Sequence, residues 1–151
     1  MQIPIFKPQT EWIPPTDFPD LGKYDEIAID LETKDPNLNK RMGSGSVVGE
    51  GDVVGISLAT HDWCAYYPIA HEGGGNMDRG MVLKWLQDQL NTPATKIFHN
   101  AMYDVCWLRA LGLKINGTIV DTMIAASLID ENRFRYDLNG CGRDYVGKGK
   151  D

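Results

Sequence analysis

The chain has 151 residues, of which 42% are hydrophobic and 24% are charged, and its formal net charge is −6. This length and composition are typical of one globular domain, no apolar run approaches the length of a membrane span, and the first residues lack the basic-then-apolar pattern of a signal peptide. We therefore expect no membrane association, while the acidic balance neither indicates nor excludes nucleic-acid binding.

Residues 1–25 are predicted to form an extended arm that lies on the domain or reaches a neighbour. Proline at this density forbids a regular helix, and the five prolines are Pro4, Pro8, Pro14, Pro15 and Pro19. Trp12 and Phe18 give the arm side chains with which to pack.

The next segment, residues 26–31, is apolar and β-branched, which predicts a buried strand. Asp30 and Glu32 stand where this strand leaves the core, and residues two apart on a strand face the same side. Two like charges held together favour a divalent cation between them, and carboxylate oxygens suit Mg²⁺ or Mn²⁺. The alternative is a solvated strand end.

Residues 35–52 are polar and glycine-rich, and we interpret them as a flexible loop. The glycines lack the spacing of a P-loop or of a dinucleotide fingerprint. Lys40 and Arg41 are weak candidates for contacts with a nucleic-acid backbone.

The remaining elements alternate between strands and helices. Residues 53–60 and 63–69 predict a hairpin that turns at His61-Asp62, followed by a loop over 71–76. Asp78 is predicted to cap a helix that ends before Thr92-Pro93. The later predicted elements are a strand at 96–98, a helix over 102–111 closed by Gly112, a strand at 118–120, a helix from Asp121 to 129, and a helical start over 136–145 closed by Gly147.

This order predicts an α/β fold, in which three antiparallel strands and then parallel strands form a mixed sheet flanked by helices. The order resembles the ribonuclease-H-like arrangement, with the first strand at the centre of the sheet. Ligands of such sheets gather near strand ends where chain directions diverge. Asp30, Glu32 and the segment from Asn100 to Asp104 are expected to converge there.

Two segments resemble the first two motifs of the DEDD-type 3′→5′ exonucleases. Asp30-Leu31-Glu32-Thr33 is similar to the first, and Asn100 followed four residues later by Asp104 is similar to the second. Segments 121–128 and 136–147 also resemble this family. Over residues 25–147 the similarity is greatest to the proofreading exonuclease domain of polymerase-I-like DNA polymerases, particularly phage versions, so we assign residues 26–151 to this domain.

The resemblance implies hydrolysis of the terminal phosphodiester at a DNA 3′ end by two divalent ions, Mg²⁺ or Mn²⁺. By that resemblance the metal ligands and catalytic residues are Asp30, which bridges both ions, Glu32, which binds the first, and Asp104, which binds the second. The expected substrate-binding residues are Leu31 and Thr33 through their backbone, Asn100, and Tyr103 as the aromatic residue nearest the site.

The family has a fourth carboxylate, which follows a Tyr by four residues or a His by five. No Tyr of this chain has that spacing, and Asp104, five residues after His99, cannot serve as two ligands at once. Asp137, Asp144 and Asp151 are weak substitutes. We therefore expect an incomplete domain, either a fragment or one product of a split polymerase, with little activity by itself.

Other interpretations remain open at this point. A ribonuclease-D-like enzyme that trims RNA 3′ ends would share these motifs, and a non-catalytic module could bind 3′ ends or scaffold a polymerase. A haloacid-dehalogenase-like phosphatase is disfavoured, because it needs an aspartate where Glu32 stands. Asp121 is interpreted as a helix cap and His99 as a hydrogen-bonded strand-end residue.

The expected partners are a single-stranded DNA 3′ end, a polymerase domain or subunit, and a second copy of the chain in a homodimer. The three cysteines, Cys64, Cys106 and Cys141, are odd in number and form no CxxC pair. They predict reduced thiols in the cytoplasm, which with the resemblance means a bacterial or phage-infected cell.

Overall fold

The computed structural model describes residues 12–40 and 43–149. The first part of the predicted arm (residues 1–11), Arg41 and Asp151 lie outside these residues. The domain boundary placed at residue 26 stays a prediction.

One mixed sheet of five strands forms the centre of the molecule, in the order β3-β2-β1-β4-β5. The strands are β1 (Glu26–Lys34), β2 (Asp52–Ala59), β3 (Cys64–Pro68), β4 (Thr95–Phe98) and β5 (Ile119–Asp121). β1, β2 and β3 are antiparallel neighbours, whereas β4 pairs parallel to β1 and β5 pairs parallel to β4. The predicted α/β topology, with the first strand central, is confirmed.

The helices that follow β3 occur in the predicted order, and two further short helices lie between β1 and β2. The helices are α1 (Pro36–Lys40), α2 (Gly45–Val48), α3 (Arg79–Leu90), α4 (Ala101–Ala110), α5 (Thr122–Ile129) and α6 (Leu138–Cys141), and α6 continues into a π-helical turn (Gly142–Val146). The caps predicted at Asp78 and Asp121 are confirmed, because each carboxylate accepts a backbone N–H of the first turn. Gly147, which ends the last turn with φ 76°, is confirmed as its closing residue.

The prediction of a flexible loop over 35–52 is wrong, because α1 and α2 lie there. The Asp35 carboxylate accepts the backbone N–H groups of Asn37 at 3.0 Å and Gly45 at 2.9 Å, which joins the starts of both helices. Gly45 is buried, and a Cβ there would lie 2.1 Å from the Glu50 carbonyl oxygen. Gly45 therefore allows a close approach of the backbone that a larger residue would block.

The described part of the proline-rich segment packs on α3. The Phe18 ring stacks on Tyr67 and contacts Trp85, both with ring centroids 5.7 Å apart. The Trp85 indole N–H donates to the Pro19 carbonyl at 2.8 Å, and Leu21 is buried in the core. Within the described residues, no helix is both long and apolar enough to cross a membrane.

Candidate active site

The C-terminal half of β1 extends beyond its parallel neighbour. β4 pairs only with the stretch from Glu26 to Ala28, so Asp30 and Leu31 lie past the end of that ladder. Helix α4 begins there and carries Asp104, whose side chain accepts the Leu31 N–H at 3.3 Å and is only 3% exposed. The predicted convergence of β1 with the Asn100–Asp104 segment therefore occurs at this edge.

Asp104 and Asp30 form a pair of like charges. Burial, and after it the negative charge of Asp30, raise the pKa of Asp104 to about 7. The Leu31 N–H opposes it by hydrogen bonding to the carboxylate. A buried carboxylate that is held against a second one is the donor chemistry that a divalent cation stabilises.

Glu32 lies on the same face of β1 as Asp30, but it is exposed and stands opposite Gly55 of β2. A bulge follows it, because the pairing register shifts between Glu32 and Thr33. Across residues 12–40 and 43–149, no group of three or more His, Cys, Asp or Glu side chains is arranged to hold a metal ion. The structure thus brings Asp30 and Asp104 together, while the three-residue ligand set stays a prediction.

An open cavity of about 570 Å³ lies over this face of the sheet. Its lining includes Asp30, Tyr66 and His99 together with apolar side chains of β1, β2 and β4. The charge of Glu32 adds to burial in raising the pKa of Tyr66, so the Tyr66 phenol and the Glu32 carboxylate are electrostatic neighbours. Sequence analysis did not single out Tyr66, because an alternating strand carries no sign of which aromatic residue faces a site.

The start of α4 is set by Asn100 and Asp121. Asn100 has a left-handed backbone with φ 69°, which is uncommon for a residue other than glycine. Asp121, at the end of β5, accepts the N–H groups of Asn100 at 3.0 Å, Ala101 at 2.8 Å and Met123 at 2.9 Å. Burial acts to raise the pKa of Asp121, but these N–H donors outweigh it and hold the pKa below its usual value.

One aspartate therefore serves the first turns of both α4 and α5. The sequence predicted the α5 cap alone, because the contact with α4 spans 20 residues and depends on β4 and β5 being neighbours. Any role of Asn100 in holding substrate stays a prediction, and no side-chain cap bond forms at Asn100.

Tyr103 links three parts of the site. Its hydroxyl lies 2.7 Å from the Thr33 hydroxyl and donates to the Asp35 carboxylate at 3.1 Å. Asp35 also binds the α2 backbone at Gly45, so the chain from β1 to α2 is joined to α4. Stacking of the Tyr103 ring on a base and nucleotide contacts at Leu31 and Thr33 stay predictions. The Leu31 N–H donates to Asp104 within the fold.

Tyr103→Phe is expected to lower the free energy of unfolding by about 1 kcal/mol, because it removes the hydroxyl that joins Thr33 to Asp35. Asp35→Ala should cost more, about 2 kcal/mol, since the N–H groups of Asn37 and Gly45 also lose their acceptor. Urea unfolding measures both values, with Tyr145→Phe on the exposed π-helical turn as the control. Equal costs for Tyr103→Phe and Asp35→Ala would contradict this network.

The remaining candidate residues already have local partners. Both ring nitrogens of His99 are hydrogen-bonded, Nδ1 with the Thr122 hydroxyl at 2.9 Å and Nε2 with the Tyr136 carbonyl at 2.7 Å, which confirms the strand-end interpretation. Asp137 caps α6, and Asp144 pairs with Arg133 at 2.7 Å. Lys40 is exposed at the end of α1.

The chain is similar to exonuclease domains and to DNA polymerases. A family model described as 3′-5′ exonuclease matches residues 18–147. A DNA-directed DNA polymerase of Pseudomonas phage M6 is 30% identical over 158 aligned positions, which cover 100% of this chain and 24% of that protein. The chain spans between 9% and 24% of the length of the curated relatives it matches.

Solved structures show the same fold at lower sequence identity. Brucella melitensis NrnC with bound Mg²⁺ has a TM-score of 0.59 at 19% identity, with 87% of this chain and 58% of that chain covered. Escherichia coli RNase D has a TM-score of 0.60 at 18% identity, with 86% and 30% covered. The resemblance stated from the sequence motifs is therefore confirmed, and the chain belongs to the 3′-5′ exonuclease family as a domain of the type found in DNA polymerases.

Proposed function

We propose that this chain removes nucleotides from DNA 3′ ends, by metal-dependent hydrolysis of the terminal phosphodiester to release nucleoside monophosphates. The observation that carries the proposal is the buried Asp104 carboxylate, which accepts the Leu31 N–H and lies near the charge of Asp30 where β1 extends past the end of β4. The match to the exonuclease family model and to a phage DNA polymerase supports DNA as the substrate.

In this proposal Asp30, Glu32 and Asp104 hold two divalent ions, Mg²⁺ or Mn²⁺. When bound, such ions lower the pKa of the attacking water and stabilise the leaving 3′ oxygen. Mg²⁺ is present in the related fold of Brucella NrnC. In the proposed arrangement Asp30 and Asp104 supply the inner carboxylates and Glu32 the exposed outer one, and Tyr103, whose hydroxyl contacts Thr33 and Asp35, orients the terminal nucleotide.

We expect the 151-residue chain to act slowly by itself. The family pattern has a fourth carboxylate, and among the described residues Asp137 and Asp144 are already engaged in a helix cap and an ion pair. A partner polymerase domain or subunit, or a second copy of this chain, is proposed to complete the arrangement. The proposed compartment is the cytoplasm of a bacterial or phage-infected cell.

The test is degradation of a 5′-labelled DNA strand and of a matched RNA strand, with Mg²⁺ or Mn²⁺ and with EDTA. We expect slow shortening from the 3′ end, dependent on the metal ion and faster on DNA. Asp30→Ala should lower the rate by more than about a hundredfold, since even partners of metal ligands contribute 10–100-fold. Asp88→Ala, on the exposed face of α3, is the matched control.

Each other outcome points to one alternative. Faster shortening of RNA would support the ribonuclease-D-like function in place of the DNA one. Mn²⁺ binding that requires Asp30, without shortening of either strand, would support the non-catalytic 3′-end module. Absence of both Mn²⁺ binding and shortening would contradict the proposed site itself.

A further inference from the structure

Three antiparallel strands place a row of polar side chains beside the carboxylates of β1. Asp30 stands opposite Ser57 of β2, and Ser57 stands opposite Tyr66 of β3. Residues that are directly paired across strands project from the same face of a sheet. Tyr66 therefore shares the face of Asp30 and Glu32 although one whole strand lies between them.

The gap between Tyr66 and Glu32 is bridged at Gly55. Gly55 is the direct partner of Glu32 on β2, and it is buried. A Cβ placed on Gly55 would lie 1.8 Å from the Tyr66 hydroxyl oxygen. The phenol thus lies across the backbone of β2 in the space that any other residue at position 55 would fill. Glycine inside a strand typically marks such a close approach.

The Tyr66 hydroxyl is itself held by His71. The Nε2 atom of His71 forms a hydrogen bond with the phenol oxygen, and the two rings meet edge-on with centroids 5.9 Å apart. His71 is held in turn by Asn76, whose side chain accepts the His71 N–H at 2.7 Å and donates to the His71 carbonyl at 2.8 Å. These two bonds hold the His71 backbone at the base of the glycine-rich turn, and the hydrogen bond with Tyr66 orients its imidazole.

We propose that Tyr66 and His71 are positioning residues for the metal site, with the phenol hydroxyl orienting Glu32. The proposal rests on the proposed function, because it assigns the pair to the carboxylates named there. In the tautomer that carries the proton on Nε2, His71 donates to the phenol oxygen, and the proposal requires this tautomer because it leaves the phenol O–H to donate toward Glu32. A neutral donor orients the carboxylate without cancelling its negative charge, which remains available to the cation. Groups that hydrogen-bond to metal ligands typically act in this way.

The test is titration of the full chain with Mn²⁺ alone, followed by calorimetry at pH 7.5. Tyr66→Phe keeps the ring and removes the hydroxyl, and we expect Mn²⁺ affinity to fall on the order of tenfold. The melting temperature in EDTA should stay close to that of the parent. Tyr24→Phe is the matched control: it removes a phenol that bonds Asp62 at 2.7 Å, beside the opposite end of β1, and it should leave affinity unchanged.

His71 provides the second arm of the experiment. His71→Gln keeps a side-chain N–H donor and should preserve more Mn²⁺ affinity than His71→Ala, which has none. Gly55→Ala must displace the Tyr66 hydroxyl and should lower affinity at least as much as Tyr66→Phe does. If Gly55→Ala does not fold, the Tyr66 and His71 variants still decide the question.

The outcomes separate this inference from the proposed function. If the parent binds Mn²⁺ through Asp30 and Tyr66→Phe binds it equally well, the positioning role is wrong while the metal site stands. If Tyr66→Phe lowers the melting temperature in EDTA as well as the Mn²⁺ affinity, the phenol stabilises the fold itself and the inference fails. If the parent binds no Mn²⁺, both proposals fall together.

Discussion

Asp104→Asn is expected to raise the melting temperature of the metal-free protein at pH 8 and to remove the stabilisation that Mn²⁺ gives the parent chain. Asparagine keeps an acceptor for the Leu31 N–H but carries no charge into the buried position next to Asp30. The same substitution therefore stabilises the metal-free protein and removes its ability to bind Mn²⁺. Replacing an aspartate that only supports the fold would not produce both effects.

The size of the effect follows from the pKa of Asp104, which burial and the charge of Asp30 raise from 3.8 to about 7. At 1.36 kcal/mol per pH unit, this shift corresponds to roughly 4 kcal/mol of lost stability once the group is ionised. Half of that amount would move the melting temperature by about 4–8 °C in a domain of this size.

The pH dependence has a definite sign. A carboxyl whose pKa is raised by folding adds stability below its unfolded pKa, near 3.8, and loses it as the pH rises through about 7. The difference in melting temperature between Asp104→Asn and the parent should therefore grow between about pH 4 and pH 7. Beyond pH 7 it should remain constant.

Differential scanning calorimetry from pH 5 to pH 8, in EDTA and in Mn²⁺, measures these differences. Asp88→Asn, an exposed replacement of the same kind on α3, should change neither quantity. A lower melting temperature for Asp104→Asn in EDTA at pH 8 would show that the ionised Asp104 carboxylate does not destabilise the fold.

Asp121→Ala is expected to lower the free energy of unfolding by about 2–4 kcal/mol at pH 7. Its carboxylate accepts the N–H groups of Asn100, Ala101 and Met123, so two helices lose their N-terminal acceptor at once. Because α4 carries Asp104, we also expect weaker Mn²⁺ binding by the folded variant.

The comparison is with Asp78→Ala, which removes the N-cap of one helix through its bond to Met81 and should cost about 1 kcal/mol. The pKa of Asp121 is lowered in the fold, so its contribution is present above about pH 4 and is lost as the pH falls through the lowered pKa. Urea unfolding at pH 7 compares the costs of the two substitutions. The same measurement at about pH 2.5 tests whether the cost of Asp121→Ala becomes smaller in acid. Equal costs for the two aspartates at pH 7 would contradict the double role of Asp121.

Local patterns were sufficient for much of this protein. The strand that carries Asp30, the caps at Asp78 and Asp121, and the closing glycine at Gly147 were all predicted from neighbouring residues alone, although the strand continues to Lys34 rather than ending at residue 31. Each of these features depends on backbone groups within a few residues, so the chain itself carries the information. The motif resemblance likewise needed only short spacings, and the family comparison confirmed it.

The prediction over 35–52 failed for the opposite reason. A polar, glycine-rich sequence is typical of loops. Here, however, the Asp35 carboxylate accepts hydrogen bonds from the N–H groups of Asn37 and Gly45 and from the Tyr103 hydroxyl. The last of these contacts spans 68 residues. No local pattern distinguishes a glycine in a mobile loop from one such as Gly45, which is buried against the Glu50 carbonyl and the Asp35 carboxylate.

By itself, then, the sequence determined the order of the five strands and of the helices from α3 onward, the helix caps and the carboxylates that define the family, because these are properties of residues close along the chain. Only the tertiary structure decided which groups act on those carboxylates. The pKa of Asp104 is raised because the packing of α4 beside β1 buries its carboxyl group near Asp30, and Tyr66 lies near Glu32 because Gly55 leaves its space open. Both depend on strand register and on burial, which arise only when segments far apart in the chain pack together.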